Sequence, residues 1–135
     1  MILLYMDLSW YNTLNKPFYN PPSWIFAPAW TVLYILMAIS FYLVWRKGIK
    51  IKKVREAIVV FVVQLVLNLS WSPVFFGLKS ILLALLIIVV MLFYIVKTIR
   101  LFAKVDKNAA YLLYPYLAWV SFATMLNFSV WLLNR

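Results

Sequence analysis

Four long runs without a charged residue restrict this chain to very few folds. They cover residues 24–45, 57–78, 80–96 and 108–134. A helix rises about 1.5 Å per residue and the hydrocarbon layer is about 30 Å thick, so runs of roughly 17 to 25 residues can cross it. The hydrophobic content of 67% is also more than one soluble core of 135 residues could bury. The sequence therefore predicts an all-α integral membrane protein, a bundle of four transmembrane helices that forms one domain over residues 1–135.

The expected helices extend slightly beyond some of these runs. We place them at about 24–46, 55–78, 79–103 and 109–133. The third run is the shortest and reaches full span if Lys79 and Lys97 serve as snorkelling ends. Because only a short tether, Leu78-Lys79, joins the second and third helices, they should form an antiparallel hairpin. Pro115 suits the first turn of a helix, which leaves residues 108–114 as an approach or a kinked first part.

The basic residues indicate the orientation of the bundle. Six lie in residues 46–55 and four in residues 97–107, whereas three lie elsewhere in the chain, Lys16, Lys79 and Arg135. The positive-inside rule places the two basic segments in the cytoplasm, and this explanation is preferred to binding of anionic lipid. The net charge of +10 does not indicate nucleic-acid binding, because the basic residues are confined between apolar runs and do not form a polar face.

Residues 10–30 are rich in proline and tryptophan, with four of the chain's six prolines and three of its seven tryptophans. Pro17, Pro21 and Pro22 exclude one continuous helix. The aromatic residues either form an interfacial belt or make residues 1–23 a rigid lid over a pocket between helices. The first seven residues are too few to span a membrane. Either the lid begins the chain or a preceding helix is missing.

Polar and aromatic side chains recur at helical spacing within the apolar runs. The stripes are Trp30 and Tyr34 in the first helix, Gln64, Asn68 and Trp71 in the second, and Trp119, Ala123 and Asn127 in the last. Polar groups that face lipid are costly, so these stripes should face one another. The amides then serve as interhelical hydrogen bonds or line a ligand cavity, and their tryptophan neighbours favour the cavity. Ser72-Pro73 can kink the second helix beside them.

Several functional classes are disfavoured by the residues that the chain lacks. It contains no histidine and no cysteine, which excludes thiol catalysis and the commonest transition-metal sites. No ionisable residue lies within the apolar runs, as proton-coupled transport would require. Asp7, Glu56 and Asp106 are close to expected helix ends and far apart, which disfavours acid–base catalysis. We expect no metal site and no required cofactor.

Three longer motifs carry a resemblance to a known family. They are WYNTLNKPFYNPPSWIFAPAWTVLY at 10–34, LNLSWSPVFFG at 67–77 and PYLAWVSFATMLN at 115–127. In this order they resemble the translocator protein family, also called tryptophan-rich sensory proteins or peripheral-type benzodiazepine receptors. The resemblance implies a homodimeric protein with five transmembrane helices per chain. It also implies binding of porphyrins, haem, sterols and isoquinoline-type ligands in a pocket that is closed by the loop after the first helix. A bacterial cell membrane is the expected location.

The same resemblance implies the residues of the pocket. The positions that match are Tyr11, Trp30, Asn68, Trp71, Trp119, Ala123 and Asn127. The chain departs from the family pattern because residues 1–8 stand where the first helix is expected, and a start codon chosen too far downstream would explain this. No tyrosine follows Asn127 directly, so the family's cholesterol motif is absent and sterol binding is less secure than tetrapyrrole binding.

These observations predict a binding or sensing protein for porphyrin or haem. A flat apolar macrocycle with carboxylates suits aromatic faces, amide donors and a cation such as Lys16. Without histidine or cysteine, axial ligation of haem iron needs tyrosine or methionine, so metal-free porphyrin should bind at least as well as haem. The alternatives are an enzyme that degrades porphyrin with light and oxygen, with Trp30 and Trp71 as candidate catalytic residues, and a passive transporter of tetrapyrroles or sterols.

Overall fold

The computed structural model describes residues 26–78 and 80–134, which form a bundle of helices. The elements are α1 (Phe26–Trp45), α2 (Lys52–Ser72), a π-helical turn (Pro73–Gly77), α3 (Ile81–Val105), α4 (Lys107–Leu112) and α5 (Tyr114–Asn134). The expected lid at 1–23, with Tyr11 and Lys16, lies outside the described residues, as do Lys79 and Arg135.

Four helical segments of the described part are long and apolar enough to cross a membrane. They are Pro28–Trp45, Lys52–Phe75, Ile81–Val105 and Lys107–Asn134, of 18 to 28 residues each. Large apolar side chains such as Val32, Val59 and Leu86 lie exposed on the outside of the bundle. In lipid such surfaces are solvated, so the helices can be apolar on all sides. The predicted all-α membrane bundle with four spans is confirmed.

α2 and α3 extend further into the basic segments than expected. α2 begins at Lys52 rather than residue 55, and α3 continues to Val105 rather than ending at 103. Lys97, Arg100 and Lys104 therefore lie on the last turns of α3 and not in a connecting loop. Long basic side chains can reach the headgroup layer while their backbone remains helical, so a change in charge does not mark the end of the helix. We call the end of the bundle that carries these residues the basic end.

The connection between α1 and α2 is a short turn of residues 46–51 at the basic end. Gly48 has a φ of +113°, a conformation that glycine adopts at little cost. The Arg55 guanidinium donates a hydrogen bond of 2.8 Å to the carbonyl of Lys50. Arg46 lies 3.9 Å from the Asp106 carboxylate across the basic end.

The opposite end of the bundle, which we call the hairpin end, contains the expected irregularity at Ser72-Pro73. Pro73 lacks an amide hydrogen, and the helix widens there into the π-helical turn, which the Leu78 amide closes with a 3.0 Å bond to the Pro73 carbonyl. The Ser80 hydroxyl then caps α3 by accepting from the Leu83 amide at 3.3 Å.

The last span is made of two helices. Residues 108–114 were expected as an approach or a kinked part, and the structure shows the short helix α4 followed by a break at Leu113. The Asp106 carboxylate caps α4 by accepting from the Asn108 amide at 2.9 Å. Pro115 lies in the first turn of α5, where its missing amide hydrogen has no intrahelical partner to lose.

α3 lies at the centre of the packing and contacts α2, α4 and α5. Its buried stripe runs from Ala84 to Phe102. Towards the basic end, a phenylalanine cluster joins α1, α2 and α3. The Phe61 ring lies 5.3 Å from Phe41 and 5.7 Å from Phe102. The Ser40 hydroxyl donates to the Ala109 carbonyl at 2.7 Å and fixes α4 against α1. The backbone of α5 approaches α1 and α2 at very few positions, so side chains fill that gap.

The membrane orientation gives a prediction that can be measured directly. An epitope tag inserted between Gly48 and Lys50 should be accessible from the cytoplasmic side only, and a tag fused to the C-terminus from the opposite side only, because an odd number of spans separates the two positions. Protease protection in right-side-out and inverted vesicles measures this. Labelling of both tags from the same side contradicts the orientation.

Candidate functional site

An aromatic group fills the gap between α1 and α5. Trp30 is buried at its centre, with ring centroids 5.8 Å from Tyr34, 6.4 Å from Tyr116 and 6.4 Å from Trp119. The Tyr116 and Trp119 rings meet Trp30 edge to face, at 69° and 87°. This geometry places the positive edge of one ring against the negative face of the next. The group therefore joins two helices whose backbones remain apart.

A hydrogen-bonded network continues from this group to α2. The Tyr116 hydroxyl donates to Gln64 Oε1 at 2.7 Å and accepts from Asn68 Nδ2 at 2.9 Å. The Tyr34 hydroxyl donates to Asn68 Oδ1. The network connects α1, α2 and α5 in the interior of the bundle. We call these four side chains, Tyr34, Gln64, Asn68 and Tyr116, the central network.

A second polar contact lies nearer the hairpin end. Trp71 Nε1 donates to Asn127 Oδ1 at 3.0 Å, and Asn127 Nδ2 donates to the carbonyl of Ile81 at 3.2 Å. The Trp71 ring also stacks on Phe75, with centroids 5.0 Å apart and planes at 22°. Asn127 thus links α5 to the end of α2 and to the first residue of α3.

Six of the seven residues expected in the site are among the described residues and line the same region. Trp30, Asn68 and Asn127 are buried, whereas Trp71, Trp119 and Ala123 are partly buried and pack against the core. Tyr11, the seventh, lies outside the described residues. The expected stripes of α1, α2 and α5 do face one another.

The amides were expected either to form interhelical hydrogen bonds or to line a ligand cavity, and this geometry bears on both interpretations. Gln64, Asn68 and Asn127 each hydrogen-bond to another helix, as interhelical bonding requires. A carboxamide nitrogen carries two N–H groups, and the contacts above use one from Asn68 and one from Asn127. The arrangement can therefore hold the helices together and also present an amide hydrogen of Asn68 beside aromatic rings.

Tyr116 is the central residue that reasoning from the sequence missed. Its side chain is 1% exposed, and its hydroxyl joins two of the expected amides. The sequence does indicate that Tyr116 faces the site. It precedes Trp119 by three residues and Ala123 by seven, and so lies on the same stripe of α5. Its hydroxyl meets Met91 Sδ at 3.9 Å, and Gln64 Nε2 meets Met37 Sδ at 4.0 Å, so two buried methionines border the network.

Comparison with known proteins gives a consistent result. Residues 4–132 match the TspO/MBR family. The chain is 49% identical to the tryptophan-rich protein TspO of Chlorobaculum tepidum, over 93% of this chain and 80% of that protein. It is 40% identical to the tryptophan-rich sensory protein of Cereibacter sphaeroides, over 93% and 77%. It is 39% identical to the human translocator protein, over 92% and 74% of the two chains.

Proposed function

Because the chain belongs to the TspO/MBR family, we propose that it is a membrane-embedded binding and sensing protein for porphyrins and related apolar ligands. Relatives are named tryptophan-rich sensory protein and translocator protein, which supports a sensory or ligand-binding role in a membrane. In this proposal porphyrin or haem is a ligand and not a required cofactor.

The observation that carries the proposal is the aromatic group around Trp30. It combines large rings from α1 and α5 with the amides of α2, in a part of the bundle where the helix backbones are not in close contact. Ligand sites typically combine mostly apolar and aromatic surface with a few placed polar groups. A tetrapyrrole has an extended apolar face that can pack against indole rings, and polar atoms that can accept amide hydrogens.

Each residue has a distinct part in the proposed site. Trp30 and Trp119 offer ring surfaces, and Asn68 offers an N–H group beside them. Ala123 lies one helical turn after Trp119 and leaves room for a flat ligand, because its side chain is a single methyl group. The uncharged character of these side chains suits a ligand that enters from the lipid phase.

Ala123→Leu is the substitution that tests this site. A leucine in a filled core costs roughly 1–3 kcal/mol of stability, whereas a leucine that projects into ligand space causes the same clash only in the complex. We therefore expect the affinity for protoporphyrin to fall about tenfold or more, which corresponds to about 1.4 kcal/mol, with an unchanged thermal midpoint. Quenching of tryptophan fluorescence in detergent measures the affinity.

Ala103→Leu is the matched control, because Ala103 is exposed on α3 near the basic end. It should change neither the affinity nor the midpoint. An Ala123→Leu protein with a lowered midpoint and normal affinity would show that these residues are packed core and that the site is wrongly assigned.

A second candidate function is the degradation of porphyrin with light and oxygen. The contact between Trp30 and Trp119, with centroids 6.4 Å apart, favours it, since an oxidised indole would have a second indole beside it. Multiple turnovers of protoporphyrin to a defined product in illuminated protein would establish this activity, whereas stoichiometric binding without a product supports sensing alone. Uptake of porphyrin into proteoliposomes, above that of empty vesicles, would instead support transport.

A further inference from the structure

We propose that Asn127 is a positioning residue: it acts on the ligand site by fixing the Trp71 indole and does not itself contact the ligand. The family resemblance placed Asn127 among the pocket positions without giving it this role. The inference rests on the proposed function, because its effect is measured on porphyrin binding.

Both ends of the Asn127 amide are engaged within the protein. The oxygen accepts the Trp71 indole N–H at 3.0 Å, and the nitrogen donates to the Ile81 carbonyl at 3.2 Å. The side chain is 3% exposed. A ligand that took the oxygen of Asn127 would displace the Trp71 indole N–H from it, and the loss of such a hydrogen bond in the interior is costly.

Trp71 lies close to the point where the regular hydrogen-bond pattern of α2 ends. It lies in the last turn of α2, two residues before the π-helical turn begins at Pro73. The Trp71 ring stacks on Phe75, which belongs to that turn. The ring contact that Trp71 makes within its own segment is therefore with the irregular turn that follows the helix. A bond from α5 supplies a constraint from outside α2.

Asn127 joins the hairpin end to α5, whose backbone approaches α2 at few positions. Ile81 is the first residue of α3, so the two hydrogen bonds of Asn127 reach both sides of the connection between α2 and α3. α5 contacts α3 extensively, whereas its contact with α2 depends on side chains such as this one. Asn127 therefore sets the distance and the angle at which the Trp71 ring faces α5.

A double-mutant cycle distinguishes a positioning role from a direct contact. The variants are Asn127→Leu, Trp71→Phe and the double substitution, and the measurement is the dissociation constant for protoporphyrin from its Soret absorbance. If Asn127 acts through Trp71, each single substitution weakens binding about tenfold and the double substitution also weakens it about tenfold. If Asn127 contacts the ligand separately, the effects multiply to about a hundredfold, and the proposal is wrong.

Asn127→Ala repeats the cycle with a smaller side chain, in case leucine is too large for the site. Two controls match the substitutions in type. Trp45→Phe changes an exposed tryptophan of α1, and Ser121→Ala removes a hydroxyl that donates within α5, to the Leu117 carbonyl at 2.8 Å. Neither control should change the dissociation constant.

A measurement without ligand keeps this inference separate from the proposed function. The ultraviolet resonance Raman spectrum of the wild type minus that of Trp71→Phe isolates the Trp71 indole, whose N–H band reports its hydrogen bond. Asn127→Leu should shift that band, because it removes the 3.0 Å hydrogen bond from the Trp71 indole to Asn127 Oδ1, and an unmoved band overturns the proposal. If the wild type binds no porphyrin, the proposed function fails, while the Raman result still decides whether Asn127 fixes Trp71.

Discussion

Tyr116→Phe is expected to lower the free energy of unfolding by about 2 kcal/mol and to weaken porphyrin binding in the same protein. The substitution keeps the ring against Trp30 and removes only the hydroxyl. Gln64 Oε1 then loses its donor at 2.7 Å, and Asn68 Nδ2 loses its acceptor at 2.9 Å. Denaturation with SDS in mixed micelles measures the stability.

The loss of stability in Tyr116→Phe can be estimated in two ways, which give different values. A single interhelical hydrogen bond in a membrane contributes about 0.6 kcal/mol on average, because helices that have separated can find other partners in the lipid. A buried polar group left without a partner costs about 1–3 kcal/mol. Tyr116 is 1% exposed and serves two amides, so we expect the second estimate to dominate.

Tyr114→Phe is the matched control, because Tyr114 is 50% exposed two residues away on the same helix. Its stability and affinity should equal those of the wild type. A Tyr116→Phe protein as stable as this control would mean that the central network contributes little and that ring packing alone holds α5 in place.

Phe102→Ala is expected to produce the largest loss of stability, about 2–4 kcal/mol, without weakening porphyrin binding. The Phe102 ring is fully buried and stacks on Phe61 at 14° in the phenylalanine cluster. In a soluble protein this substitution costs about 3–5 kcal/mol, part of it from transfer out of water. That part is small in lipid, but the lost dispersion contacts and the cavity remain.

The comparison with Phe93→Ala isolates the packing contribution. Phe93 is 63% exposed on the outer face of α3, where lipid chains can replace its contacts. Its removal should change the unfolding free energy by less than about 1 kcal/mol. A Phe102→Ala protein that loses porphyrin binding while still folded would show that the phenylalanine cluster and the aromatic group around Trp30 are coupled.

The spans were predictable because lipid imposes a simple requirement on length and charge. Backbone groups must be bonded internally and side chains must be apolar, so an uncharged run of sufficient length is a reliable signal. The ends of the helices were less predictable. Lys52 and Lys104 lie within helices, because long side chains carry their charge away from the backbone, and an interpretation based on charge ends the helix too early.

Part of the site was also predictable, because helical spacing shows which residues share a face. The spacing of Gln64, Asn68 and Trp71 placed them together, and the structure turns all three towards the other helices. The pairing between helices was not predictable from spacing. That Trp71 meets Asn127, or that Ser40 meets the Ala109 carbonyl, depends on the relative height of two helices that are distant in the chain. Only the packed bundle determines that height.

The gap that separates the backbone of α5 from α1 and α2 also affects how the protein assembles. α1, α2 and α3 are synthesised before α5, and the short connections between them favour their early association in the membrane. α5 follows and brings Tyr116, Trp119 and Asn127 into contact with side chains of α1 and α2. The aromatic group around Trp30 and the central network are therefore complete only when α5 has docked. A ligand that bound the proposed site would therefore favour the molecules in which α5 has docked.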